Sequence, residues 1–226
     1  MKPAHLPLLP LLVVAAASAA EFVPPPPGTY ELHHIMPAPS GTVLDERGAA
    51  ARLSRFTTGR VTLLSLIYTR CGDGMGCPLA THQLQHLKGI LDAQPEAARR
   101  VRFVSLSFDP DRDTPAVMRS YGRTFNPGSG GVPWHFLTTR SRSEVKPILH
   151  GLGQDLWSAR EGDALAHVLK LFLIDARGSV REIYSTSFLH TQVVLNDIET
   201  LLLENAPMGA SAPSALSPRS AATSAR

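Results

Sequence analysis

The sequence predicts an α/β protein: a mixed sheet with helices on both faces. Two observations carry this. From Val61 to Glu204 apolar strand-like runs alternate with helical patterns, and the chain closes with a hairpin and a last helix. An almost wholly apolar strand also hands over to a helix at Cys71 and Cys77, the only two cysteines in 226 residues. The handover reads Tyr68-Thr69-Arg70-Cys71-Gly72-Asp73-Gly74-Met75-Gly76-Cys77-Pro78.

Each element has its own signal. Residues 21–41 form a lead-in. Its Phe22–Gly28 stretch is rich in proline and reads as an extended linker. Tyr30–Ile35 and Thr42–Asp45 are short strands, and Glu46-Arg47-Gly48 is the turn after the second. Val61–Tyr68 is apolar enough for a strand buried on both faces. Pro78 suits the first position of a helix that runs to about Ala93, with Leu79, Leu84, Leu87 and Leu91 on one side. Val101–Phe108 is a second central strand. Thr114-Pro115 starts a helix that ends near Phe125. Trp134–Leu137 is a third strand. Ser141 and Glu144 form a capping box for a helix to Leu152, weakened inside by Pro147. Val168–Asp175 and Val180–Tyr184 flank Ala176-Arg177-Gly178 as an antiparallel hairpin. Thr191–Glu204 is the last helix. The chain has no internal repeat. A strand that ends in Cys, followed by Cys-Pro at a helix start, is how a thioredoxin-like fold presents its thiols.

The two ends differ from the middle. Met1-Lys2, an apolar run from Leu6 to Ala17 and the small residues Ser18-Ala19-Ala20 describe a secretory signal over 1–20, cleaved near Ala20. The apolar run is short for a membrane span and contains Pro7 and Pro10, so no transmembrane anchor is expected after cleavage. No cysteine stands at the cut to take a lipid. The mature protein is expected in the periplasm, where disulfides persist. Residues 206–226 are Ala, Ser and Pro with little to bury, which predicts a disordered tail. Without the two ends roughly 185 residues remain, enough for one domain with a full core, and the domain itself is placed at 42–205. The formal charge of +3 comes from the ends. Lys2, Arg219 and Arg226 supply three positive charges there and no acid accompanies them, so the middle is neutral. A nucleic-acid surface is not expected.

The thiols carry the chemistry. Backbone N–H groups and the dipole at a helix N-terminus favour the thiolate, the form that binds metal and exchanges disulfides. A purely structural disulfide is the plainer alternative. Closing so short a loop stabilises by about 2 kcal/mol on the chain-entropy model, a minor gain for a domain of this size. Gly72, Gly74 and Gly76 also suit a surface turn better than a staple. Two readings remain. Two thiolates and a neutral imidazole make a trigonal Cu(I) site. A dithiol can instead exchange with a partner's disulfide. The metal reading needs a histidine near the pair. His167 precedes the strand Val168-Leu169-Lys170-Leu171-Phe172-Leu173-Ile174, whose start lies beside the thiols in a thioredoxin-like sheet. A histidine in that place is, taken alone, more often a packed or capping residue.

Three features together change that weighing. They are the Cys-Pro after an apolar strand, the segment Phe103-Val104-Ser105-Leu106-Ser107-Phe108-Asp109-Pro110-Asp111-Arg112-Asp113-Thr114-Pro115, and His167 eight residues before Asp175. With them the chain resembles the SCO/SenC family from about Thr42 to Glu204. The resemblance implies a thioredoxin-like copper-binding protein that helps assemble the copper sites of respiratory oxidases. It implies copper as the bound metal, with Cys71, Cys77 and His167 as its ligands. It further implies a cuproprotein acceptor such as the oxidase subunit with a dinuclear copper site. Loading needs reduced thiols, so a thiol reductase is a second expected partner. The chain departs from the family at one point. Five residues separate the cysteines, where the family has three.

Other residues weigh less. Met75 offers a soft thioether, but a packing or solvent-facing role is simpler. Asp73 reads as a turn residue or a partner contact. Asp109, Asp111, Arg112 and Asp113 read as a strand-to-helix turn held by charged hydrogen bonds, with Asp113 or Thr114 capping the next helix. His82 and His86, spaced i, i+4, and the group His33, His34 and Met36 are weak metal candidates, and His135 beside Trp134 is expected to be structural. The enzyme alternative makes Cys71 and Cys77 the redox dithiol of a thiol–disulfide oxidoreductase. Against it, the spacing is not Cys-x-x-Cys, and Asp163-Ala164-Leu165-Ala166 lacks the proline that thioredoxins place opposite their thiols. A peroxidase is weaker still, because Tyr68 stands where peroxiredoxins have threonine.

Overall fold

Every residue of Val61–Ile67 is buried, as expected of a strand covered on both faces. The computed structural model describes residues 22–70, 77–126, 128, 130–154, 170–185 and 189–204, with Cys77 described by its backbone. Its strands are β1 (Met36–Pro37), β2 (Thr42–Leu44), β3 (Ala50–Arg52), β4 (Val61–Ile67), β5 (Val101–Ser107), β6 (Trp134–Leu137), β7 (Lys170–Ile174) and β8 (Ser179–Ser185). Its helices are α1 (Ser54–Thr57), α2 (Cys77–Asp92), α3 (Pro95–Arg100), α4 (Pro115–Phe125), α5 (Arg142–Gly151) and α6 (Thr191–Glu204). Six strands form one sheet in the order β1-β8-β7-β4-β5-β6, and β2 pairs with β3 in a separate hairpin. β4, β5 and β6 run parallel, whereas β7 is antiparallel to β4.

The parallel strands need crossovers, and α2 and α4 supply them on one face, with α6 beside α2. Leu84, Leu87 and Leu91 form the buried side of α2. Thr114 caps α4 by accepting the Val117 N–H at 3.4 Å, and Pro115 takes the first turn. α4 approaches the sheet closely at Gly122, where an added Cβ would lie 2.7 Å from the Phe136 ring. The β2–β3 hairpin meets the chain just after β6 through the Leu44–Thr138 bridge, α1 packs against β3 and β4, and α5 lies in the connection from β6 to β7. The turn of that hairpin is fixed by Asp45, whose Oδ1 accepts the N–H groups of Arg47 and Ala49, and by Gly48 at φ 83°. This is the mixed sheet with helices on both faces that the sequence predicts.

Several expectations shift. The strand expected over Tyr30–Ile35 is absent, and β1 forms just after it. The Leu32 carbonyl accepts from the Arg181 guanidinium, which diverts this stretch from a strand ladder. The proline-rich lead-in adds no strand or helix, yet it is held on α6. Asn196 donates to the Pro25 carbonyl at 2.7 Å, and the Gly28 N–H reaches Thr200 Oγ1 at 3.0 Å. The capping box fails because Glu144 turns to Arg140, accepting its backbone N–H at 2.9 Å and pairing with its guanidinium at 3.1 Å. Ser141 Oγ meets Ser143 Oγ instead of a helix N–H. α1, α3 and β3 are short elements beyond those expected. The leader 1–20 and the tail 206–226 lie outside the described residues.

Candidate metal centre

β4 positions the thiol-bearing segment. It ends at Ile67, and the chain leaves the sheet through Tyr68, Thr69 and Arg70. Tyr68 is buried against Phe108, ring centroids 5.1 Å apart, so the exit is anchored in the core. Thr69 is anchored by Asp113. Its N–H donates to Asp113 Oδ2 at 3.0 Å and its hydroxyl to Oδ1 at 2.5 Å. The Ser107 hydroxyl also donates to Oδ2, at 2.6 Å. A buried carboxylate therefore ties together the ends of β4 and β5. The helix cap is left to Thr114, so the second of the two capping expectations holds. The role of Thr69 and Ser107 is not visible in the sequence, since Thr69 and Asp113 stand 44 positions apart with nothing to pair them.

Asp109 is buried beside this tie. Its Oδ2 accepts from Arg112 at 3.2 Å, and its Oδ1 lies 3.9 Å from the Arg142 guanidinium with no hydrogen bond among the described residues. Arg142 also pairs with the exposed Asp111 at 2.6 Å. The turn of charged hydrogen bonds expected over Asp109–Asp113 is thus present.

Of the expected ligands, Cys71 and His167 lie outside the described residues, as do Asp73 and Met75. Cys77 opens α2. The flanks bear on how close the three are. β7 is paired antiparallel to β4, with Leu171 opposite Ser65, so the chain returns at Lys170 on the same end of the sheet from which it leaves at Arg70. Among the described residues no three His, Cys, Asp or Glu side chains are grouped as a metal site. His82 and His86 are exposed, and His82 stands edge-on to Phe125 at 5.3 Å. His34 Nδ1 lies 2.9 Å from Ser179 Oγ. His135 packs edge-on against Phe56 at 5.1 Å, and its burial lowers its pKa, which favours the neutral ring.

A family model described as SCO1/SenC matches residues 41–203. The chain belongs to the SCO1/SenC family. A SCO1 protein homolog of Bacillus subtilis is 27% identical over 128 residues, covering 56% of this chain and 63% of that protein, so the match spans less than two thirds of its length. The apo Sco1 protein from Thermus thermophilus is 28% identical in structural alignment, with a TM-score of 0.60 over 77% of this chain and 95% of that one. Arabidopsis thaliana ScoI, solved with copper bound, superposes with a TM-score of 0.61 at 18% identity, over 73% and 97% of the two chains. The fold is the thioredoxin-like one of these SCO proteins. Among the described residues no helix is long and apolar enough to cross a membrane.

Proposed function

We propose that this SCO1/SenC protein is an exported copper chaperone that holds Cu(I) on Cys71, Cys77 and His167. The observation that carries the reading is the meeting of three flanks at one sheet end: Arg70 after β4, Cys77 at the start of α2 and Lys170 at the start of β7. Family membership and the copper-bound relative support it. The donor set fits the ion, since two soft thiolates with an imidazole select Cu(I) over harder cations. Copper is cargo here. Cys71 and Cys77 must be reduced and deprotonated to take it, so a thiol reductase acts first. Transfer then proceeds by ligand exchange onto a cuproprotein, with an oxidase's dinuclear copper centre as the proposed acceptor. Residues 1–20 serve as the export signal to the periplasm, 42–205 as the working domain and 206–226 as an appended tail.

The test is an anaerobic Cu(I) titration of the reduced chain against a competing chelator, with His167→Ala and Cys77→Ser alongside. One tightly bound copper, weakened at least tenfold in each variant (about 1.4 kcal/mol), is expected. Copper retained by His167→Ala would remove that residue from the site. Absence of tight copper in the parent would replace the reading with thiol–disulfide exchange by Cys71 and Cys77.

A further inference from the structure

At the opposite end of the sheet from Arg70, the N-terminal ends of β5 and β6 meet the β2–β3 hairpin and α1 around a cleft of about 430 Å³. That volume falls in the range of small-ligand sites. Its lining is unusual in charge. Arg47, Arg55, Arg60 and Arg102 face Asp45 and Glu46, a surplus of two positive charges. Both acids already serve the backbone: Asp45 accepts the turn N–H groups, and Glu46 Oε1 accepts the Phe136 N–H at 2.7 Å. Among the described residues none of the four guanidinium groups is within ion-pair distance of a carboxylate. Among the described residues the Arg102 side chain donates to the Arg55 carbonyl, at 3.0 Å.

Placing Arg60 and Arg102 in one cleft without a counter-charge between them is unfavourable. Burial, and then repulsion from Arg60, lower the Arg102 pKa. An oxyanion would relieve that repulsion, and the planar guanidinium fork matches phosphate and carboxylate geometry in pairs of hydrogen bonds. The remaining wall is apolar, built by Phe56 and Pro133, with the neutral ring of His135 beside it.

We propose that this cleft binds a small organic oxyanion, a phosphate monoester or dicarboxylate on an apolar body, clamped by Arg55, Arg60 and Arg102. The site is separate from the copper reading and does not depend on it. Binding leaves the end of the sheet at Arg70 and Lys170 untouched.

The experiment is a ¹H–¹⁵N NMR titration of the full chain at constant ionic strength with phenyl phosphate, phthalate and inorganic phosphate. Phenyl phosphate or phthalate is expected to saturate with Kd on the order of 1 mM or tighter, shifting amides of Phe56, Arg60, Arg102 and His135. The tighter of the two identifies the headgroup, and inorganic phosphate is expected to bind more weakly for want of an apolar body. Arg60→Gln and Arg102→Gln should each weaken binding at least tenfold. Arg119→Gln, an exposed arginine on α4, should leave it unchanged. Arg60→Gln carries the result if Arg102→Gln disturbs folding, because the Arg60 side chain makes no hydrogen bond among the described residues. Unsaturated shifts spread over the basic surface, or full affinity in Arg60→Gln, would overturn the proposal. Inorganic phosphate binding as tightly as phenyl phosphate would overturn the apolar half of it.

Discussion

Asp113 holds Thr69 by two hydrogen bonds, one to its backbone N–H and one to its hydroxyl, and Thr69 stands two positions before Cys71. The carboxylate is buried and accepts from Ser107 as well. Asp113→Asn sets an amide N–H₂ against one of these donors. A loss of about 2–3 kcal/mol is expected, read as a fall of several degrees in melting temperature. The rate at which Cys71 and Cys77 react with a thiol reagent should change with it. Asp111→Asn is the contrast. Its pair with Arg142 is exposed on both sides, so it should cost under about 1 kcal/mol and leave the thiols alone.

Gly122 tests the approach of α4 to the sheet. An alanine there is a better helix former by about 1 kcal/mol. Its methyl group would nevertheless sit 2.7 Å from a fully packed Phe136 ring. Overpacking of this kind costs about 1–3 kcal/mol, so Gly122→Ala should destabilise in urea unfolding. The loss should shrink in a Phe136→Leu background. A Gly122→Ala protein more stable than the parent would show that the ring yields freely.

Arg181 is buried between Asp175, at 3.1 Å, and Glu204, at 3.0 Å, and also binds the Leu32 carbonyl. It links the hairpin, the end of α6 and the N-terminal stretch. Arg181→Met leaves the Asp175 carboxylate buried without its cation, at an expected cost of about 3–5 kcal/mol. Adding Asp175→Asn should restore part of this. No recovery in the double variant would assign the loss to packing.

Asp197 gives the protein a pH dependence of a particular sign. Burial raises its pKa, although Tyr30 and Tyr184 donate to it at 2.6 and 2.7 Å and oppose the shift. The folded state therefore holds the proton more tightly than the unfolded chain. The resulting stability is present below the ordinary carboxylate pKa of about 3.9 and is lost as pH rises through the folded value. The stability of the parent relative to Asp197→Asn should accordingly fall from pH 3.5 towards neutrality. A difference that grows with pH would mean the carboxylate is favoured in the fold.

The long elements were legible because each has a strong local cause. β4 is nearly continuous apolar sequence, Thr114-Pro115 is a cap with a first-turn proline, and Leu84, Leu87 and Leu91 keep helical spacing. α1 and α3 are too short to show a period, and Ala50-Ala51-Arg52 becomes a strand only because the Asp45 turn returns it to β2. Tyr30–Ile35 has strand-like residues, but the Arg181 guanidinium takes the Leu32 carbonyl. The site divides in the same way. Cys71, Cys77 and His167 stand out by residue type and by family resemblance. The Asp113–Thr69 tie and the arginine cleft join residues far apart in sequence, so only the fold brings them together.

The sheet stops at β1, a strand of two residues, one of them Pro37. A growing fibril or a swapped neighbour needs a run of free amide groups to zip onto, and proline has none to give. This border therefore offers a poor template to an incoming strand. The chain thus carries along this border its own guard against aggregation.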